Sequence, residues 1–154
     1  MPTTEEILRV LRGRFQFSEG QVPHDPGDMV HEVGKVPEAL LYSLLFVPSL
    51  AVVADSVLLT YADSGIPEDF LKAKTNTQLS LQRLEASFNQ VEVGFLFNNR
   101  NFDDNEVRLL AERIAQAWRG ALAVFCPDRS IVVRVVPPEE NAGDIAVEFF
   151  ERRS

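Results

Sequence analysis

A chain of 154 residues, 45% hydrophobic and 25% charged, is long enough to bury one core and gives no case for a second domain. Its formal net charge of −8, with Lys and Arg scattered rather than blocked, argues against nucleic acid and against an anionic membrane as partners. A single cysteine, Cys126, excludes an intrachain disulfide and suits a reducing compartment, so a cytoplasmic location is expected.

In chain order, Thr3 or Thr4 followed by Glu5 and Glu6 predicts a capped helix through Ile7, Leu8 and Leu11 to Gly13. The basic stretch and apolar run of a secretory signal are missing from this start. Residues 18–34 hold Gly20, Pro23, Pro26, Gly27 and Gly34, and read as a long, mobile loop within one α+β domain spanning 1–154. The run 39–54 is apolar and carries no charge. It falls short of the roughly 18–20 residues of a membrane span, and Pro48 interrupts it, so it reads as a buried core segment. Periodicity leaves 38–46 open between helix and strand. Residues 50–53 and 57–61 alternate as strands, turning at Ala54-Asp55-Ser56, and would lie on the same sheet as the strands at the end of the chain.

Pro67 suits the first turn of a short helix over 68–74. Leu81, Leu84, Phe88 and Val91 share a helical face, with Gln82, Arg83 and Glu85 turned outward. Val91, Val93, Phe95 and Phe97 then alternate as a strand, and 98–101 is a turn.

Asp103 and Glu106 form the signature of a capping box, and Asp104 adds charge that the helix dipole favours. Val107, Leu110, Ala111, Ile114, Trp118, Ala121, Leu122 and Phe125 recur at spacings of three and four, predicting one long amphipathic helix that ends at Cys126-Pro127. Two strands follow, 131–136 and 145–150, joined by a connection too long for a tight turn. Arg134 and Glu148 would face each other across the pair. The predicted fold class is α+β: two or three helices packed on one face of a largely antiparallel sheet, ending in a long helix followed by a β-hairpin. A parallel crossover between 91–97 and 131–136 would make the sheet mixed.

Chemistry is sparse in this pattern. The loop 24–32 gathers His24, Asp25, Asp28, His31 and Glu32. Imidazole and carboxylate groups suit zinc or another first-row metal, and His24, Asp28 and His31 are the candidate ligands. No recognised metal spacing is present, and the Pro26-Gly27 pair argues against a regular helix there. The acids Glu85, Glu92, Asp103 and Asp104 form a second candidate set, each with a plain reading as a helix start, a polar helix face or an outward strand position. No activated serine motif, phosphate loop or C-x-x-C occurs. Cys126 reads as a packed small hydrophobe.

The aromatic residues are weighted to phenylalanine, 11 against one Trp and two Tyr, which suggests core rather than a stacking surface. Phe149 and Phe150 are adjacent on a strand and must face opposite ways. Val132, Arg134, Val136, Glu148 and Phe150 therefore mark an outer sheet face suited to a partner, or to burial under another part of the chain. The reading that follows is a non-enzymatic protein-binding module of the adaptor, inhibitor or toxin-neutralising kind, needing no cofactor. Its protein partner would be basic, since an acidic surface steers encounter with opposite charge. A homodimer through the outer hairpin face is compatible with this. The alternative is a metal-dependent enzyme or ligand-binding protein using the loop 24–32.

Overall fold

The computed structural model describes residues 2–15, 26–60, 65–97 and 102–153. The chain divides into two compact units, Met1–Leu45 and Phe46–Ser154.

The first unit is helical. Helix α1, Thr4–Arg14, begins as the sequence indicates: Thr3 is the N-cap and its hydroxyl accepts from the Glu6 N–H at 3.1 Å. Its one buried residue is Leu8. Helix α2 covers Pro26–Val33, in the stretch expected to be loop. Pro26 opens the helix, where a missing N–H leaves no bond unmade, so the Pro26-Gly27 pair starts α2 instead of preventing it. The preceding part of the expected loop lies outside the described residues. Gly34 separates α2 from α3, Val36–Phe46. A Cβ at Gly34 would sit 2.4 Å from the Val30 carbonyl oxygen, so the connection has no room for a larger residue. The open choice for 38–46 is thus settled as helix.

The second unit holds the sheets. Strands β1, Leu50–Val53, and β2, Ser56–Leu59, pair antiparallel around Ala54 and Asp55. Both turn residues have positive φ, 47° and 67°, as a tight two-residue hairpin requires. Helices α4, Ile66–Asn76, and α5, Leu81–Phe88, follow, and Phe70, Leu84 and Leu58 form a cluster between them and β2. Phe70 and Phe88 meet edge to face, with ring centroids 5.3 Å apart.

The main sheet has the order β3-β5-β4, with β3 at Gln90–Glu92, β4 at Ile131–Val136 and β5 at Ala146–Glu151. Both pairings are antiparallel. β3 and β4 therefore run parallel to each other, yet β5 lies between them, so the crossover creates no parallel pair and the sheet is not mixed. β3 is shorter than the alternation of 91–97 suggests. After Glu92 the chain turns at Val93 into a 3-10 segment, Gly94–Leu96. Gly94 packs close to Asp144, whose Oδ1 would lie 2.7 Å from a Cβ there. Val93 stays buried, while Phe95 and Leu96 are exposed.

Helix α6, Asp104–Phe125, packs on β4 and β5. Its capping box is complete: Asp103 Oδ1 accepts from the Glu106 N–H and Glu106 Oε2 accepts from the Asp103 N–H, both at 2.8 Å. Replacing Asp103 by alanine removes one acceptor and frees the other, and is expected to cost about 1–2 kcal/mol in a urea titration. Val107, Ala111, Ile114, Trp118 and Leu122 are buried as their spacing indicates; Leu109 and Ala115 join them, whereas Phe125 ends exposed. Trp118 meets Phe149 of β5 edge to face at 5.8 Å. The architecture is α+β: helices packed against an antiparallel sheet, with a long helix leading into a hairpin.

One expected pairing did not form. The β1–β2 hairpin is a separate two-stranded sheet. Asn89, fully buried at the end of α5, explains this. Its Oδ1 accepts from the Leu59 N–H at 2.8 Å and its Nδ2 donates to the Val57 carbonyl at 2.9 Å. The side-chain amide thus satisfies the free edge of β2 in the way a neighbouring strand would.

Candidate functional site

Of the three expected metal ligands, His24 lies outside the described residues, as does the Asp28 side chain. His31 is exposed in the last turn of α2. Among the described residues no group of three or more His, Cys, Asp or Glu side chains is placed to hold a metal ion.

The outer hairpin face is assembled as its alternation indicates. Val132 lies opposite Phe150, Arg134 opposite Glu148, and Val136 opposite Ala146. Arg134 Nε donates to Glu148 Oε1 at 2.7 Å, and its Nη1 donates to Glu140 Oε2 at 3.0 Å. These hydrogen bonds, the one to Glu148 foremost, raise the guanidinium pKa further. The face is largely closed, however. Val136 and Glu148 are buried and Val132 and Phe150 half-buried, which leaves only Arg134 exposed. β5 is the central strand, and both of its faces are covered: Ala146 and Glu148 on one, Val147 and Phe149 on the other.

The largest gathering of charge among the described residues was not legible in the sequence. Glu85 is fully buried rather than turned outward. β3 pairs only with residues 146–148 of β5, so the edge of β5 beyond them lacks a strand. Glu85 fills that gap. Its Oε2 accepts from the Glu151 N–H at 3.0 Å and its Oε1 accepts from Arg153 Nη2 at 2.6 Å. Arg153 also lies 3.0 Å from Glu151 Oε2, which Arg129 Nη1 reaches at 3.0 Å. Arg129 then clasps the β1–β2 turn, donating to Asp55 Oδ1 and to the Asp55 carbonyl, each at 2.7 Å. Lys74 Nζ donates to the Ala54 carbonyl at 3.0 Å.

This network spends its groups on one another. The hydrogen bond from Arg129, and then its charge, lower the Asp55 pKa below the ordinary 3.8. Arg129 is raised in return, first by that bond to Asp55. Burial opposes the charge on Arg153, but the hydrogen bond and charge of Glu85, with the charge of Glu151, outweigh it and its pKa rises. A depressed carboxylate contributes stability that is present above its unfolded pKa and lost as pH falls through the folded one. Asp55→Asn is therefore expected to flatten the acid limb of the stability curve below about pH 4 while leaving its slope near neutrality unchanged, as read by urea midpoints across pH.

Cys126 is half-buried. Its Sγ donates to the Leu122 carbonyl at 3.2 Å, and burial pushes the thiol pKa up, with Arg129 pulling down and Glu151 pushing up less strongly. A cavity of about 410 Å³ lies between the start of α6 and the β4–β5 connection. Gly94, Phe102, Asp104, Val107, Pro138 and Asp144 are among its lining residues, and the carboxylates of Asp104 and Asp144 are the titratable groups among them.

What stands open is apolar. Helix α3 buries none of its residues. Val36 is 74% exposed, Leu40 65%, Leu41 62% and Leu44 60%. Val36, Leu40 and Leu44 recur every four residues and form one stripe, with Leu41 beside it. The only charge in α3 is Glu38, which Lys35 Nζ approaches at 3.3 Å. A helix this apolar is ordinarily buried, and the expectation of a buried core segment over 39–54 is not met at α3, whose apolar side chains are exposed. Its sequence signal was the uncharged run itself, since composition reports apolarity but not which surface covers it. No helix among the described residues is long and apolar enough to cross a membrane. Comparison with protein-family models, with curated proteins and with solved structures gave no match.

Proposed function

We propose that this protein acts by contact with a protein surface rather than by catalysis, as an adaptor, inhibitor or toxin-neutralising module does, with α3 as its main contact element. The supporting observation is the exposed stripe of Val36, Leu40 and Leu44. Covering a large aliphatic side chain that is about two-thirds exposed contributes on the order of 1–2 kcal/mol, so four of them, with Leu41, are a substantial driving force. The closed charge network and the raised pKa of the half-buried Cys126 thiol support the same reading from the other side. The net charge of −8 raises the encounter rate with a basic partner more than the final affinity.

A photoreactive benzoyl-phenylalanine placed at Leu40 or Leu44 tests this in cells. Expected are discrete protein adducts from both positions and none from the same group at Glu68, an exposed site on α4. Equal labelling from all three positions would count against α3 as the contact element.

A further inference from the structure

We propose that the outer edge of β4 takes up an extended segment of a partner protein as an added strand, with a glutamate or aspartate of that segment held by Arg119. This goes beyond the contact reading above and does not depend on α3.

Elsewhere the fold closes strand edges with buried side chains: Asn89 bonds the edge of β2, and Glu85 bonds the stretch of β5 beyond β3. β4 is treated differently. It is the outer strand of the main sheet, six residues long, with β5 on one side. Alternation fixes which backbone groups it presents. Along β5, the Glu151 N–H and the Ile145 carbonyl turn away from β4, the first to Glu85 and the second to the Val93 N–H at 2.8 Å. Ala146, Glu148 and Phe150 therefore turn theirs toward β4, to Val136, Arg134 and Val132. The N–H and C=O groups of Ile131, Val133 and Val135 are left facing outward. The Ile131 N–H donates to the Arg129 carbonyl at 3.1 Å, and the Val133 carbonyl accepts from Arg119 Nη2 at 3.0 Å. The Ile131 carbonyl, the Val133 N–H and both groups of Val135 have no hydrogen-bond partner among the described residues. A row of outward donors and acceptors on a strand of this length is the template for another strand.

The side chains beside the edge specify what that strand carries. A groove of about 210 Å³ lies between β4 and α6, lined by Arg119, Leu122, Ala123, Cys126, Ile131 and Val133 among others. Residues opposite one another on paired strands share a face, so the residue added opposite Val133 sends its side chain into this groove, toward Arg119. Arg119 is exposed and, unlike Arg129 and Arg153, forms no ion pair among the described residues. A carboxylate is a stronger partner for its guanidinium than the neutral Val133 carbonyl it now bonds. The exchange releases that carbonyl to accept an N–H of the added strand. Open backbone groups continue past Arg119 in both directions, to the Ile131 carbonyl and to Val135. The carboxylate therefore belongs to a residue within the strand rather than to a chain end. The position opposite Ile131 meets Ala123 and Leu122 and suits an apolar side chain.

The test uses the peptide acetyl-Lys-Val-Thr-Glu-Thr-Val-Lys-amide, whose valines and glutamate share one face and whose lysines suit a chain of net charge −8. Added at about 1 mM to the isotope-labelled full chain, it should shift the Val133 and Val135 amides and protect them from exchange. In fluorescence polarisation, the same peptide with glutamine at its centre should bind about tenfold more weakly. Arg119→Gln should erase that difference, which a purely structural role of Arg119 would not do. Val135→Pro removes an outward N–H and spares the β4–β5 ladder, so it should abolish binding with unchanged circular dichroism. Arg119→Gln, at an exposed helix position, keeps the test valid should the proline perturb β4. Leu40→Asp should leave binding unaltered. No change at the Val133 and Val135 amides, equal binding of the two peptides, or binding indifferent to Val135→Pro overturns the proposal. A dimer in sedimentation that Val135→Pro abolishes assigns the edge to a second copy and overturns it too. Failure of the α3 adducts leaves these results untouched, so the two readings fail separately.

Discussion

Glu85→Ala is expected to lower the unfolding free energy by about 3 kcal/mol, which for a chain of this size takes roughly 6–12 °C off Tm. The substitution strips a fully buried carboxylate from two donors at once: the Glu151 N–H at 3.0 Å and Arg153 Nη2 at 2.6 Å. The N–H belongs to the part of β5 that β3 does not reach, so it is left without an acceptor. Arg153 loses its shortest ion pair but keeps Glu151 and a partly exposed position, which limits its share of the loss. Glu85→Gln separates the two contributions. Its amide oxygen still accepts from the Glu151 N–H, so the loss should fall to about half. Urea unfolding followed by circular dichroism reads both. A Glu85→Ala protein within about 0.5 kcal/mol of wild type would mean the carboxylate is not closing the strand edge.

The second large effect is in the core. Trp118→Ala should cost about 3–5 kcal/mol, enough to unfold a marginal protein at physiological temperature. Trp118 is 2% exposed on α6, and its ring meets the fully buried Phe149 edge to face at 5.8 Å. Removing the indole opens a void between the helix and the sheet that neighbouring side chains refill only in part. Trp118→Phe keeps an aromatic edge against Phe149 and should cost less than half as much. By contrast, Leu40→Asp on α3 should change stability by no more than about 0.5 kcal/mol, because its side chain is 65% exposed. A large loss at Leu40 in a denaturant titration would show that α3 is part of the fold rather than an element held out for contact.

These expectations separate two kinds of information. The sequence by itself determined the elements whose causes are local. Thr3 and Asp103 cap α1 and α6 because each lies within three residues of the N–H it accepts from. Ala54-Asp55 turns the first hairpin, Pro67 lies in the first turn of α4, and the alternation of β4 and β5 places Arg134 opposite Glu148. Only the tertiary structure decided where strands stop and what covers each face. Glu85 occupies a polar helical position by periodicity, yet it is buried because β3 does not reach residues 149–151 of β5, a strand whose Glu151 lies 66 residues further along the chain. Asn89 separates the two sheets because its amide meets the free edge of β2. The outer hairpin face closes and α3 remains open, although both are apolar in sequence. Caps and turns depend on hydrogen bonds within a few residues, which the local sequence specifies. Burial and the pairing of edges depend on which distant surfaces meet, and hydrophobicity, being non-directional, does not name them.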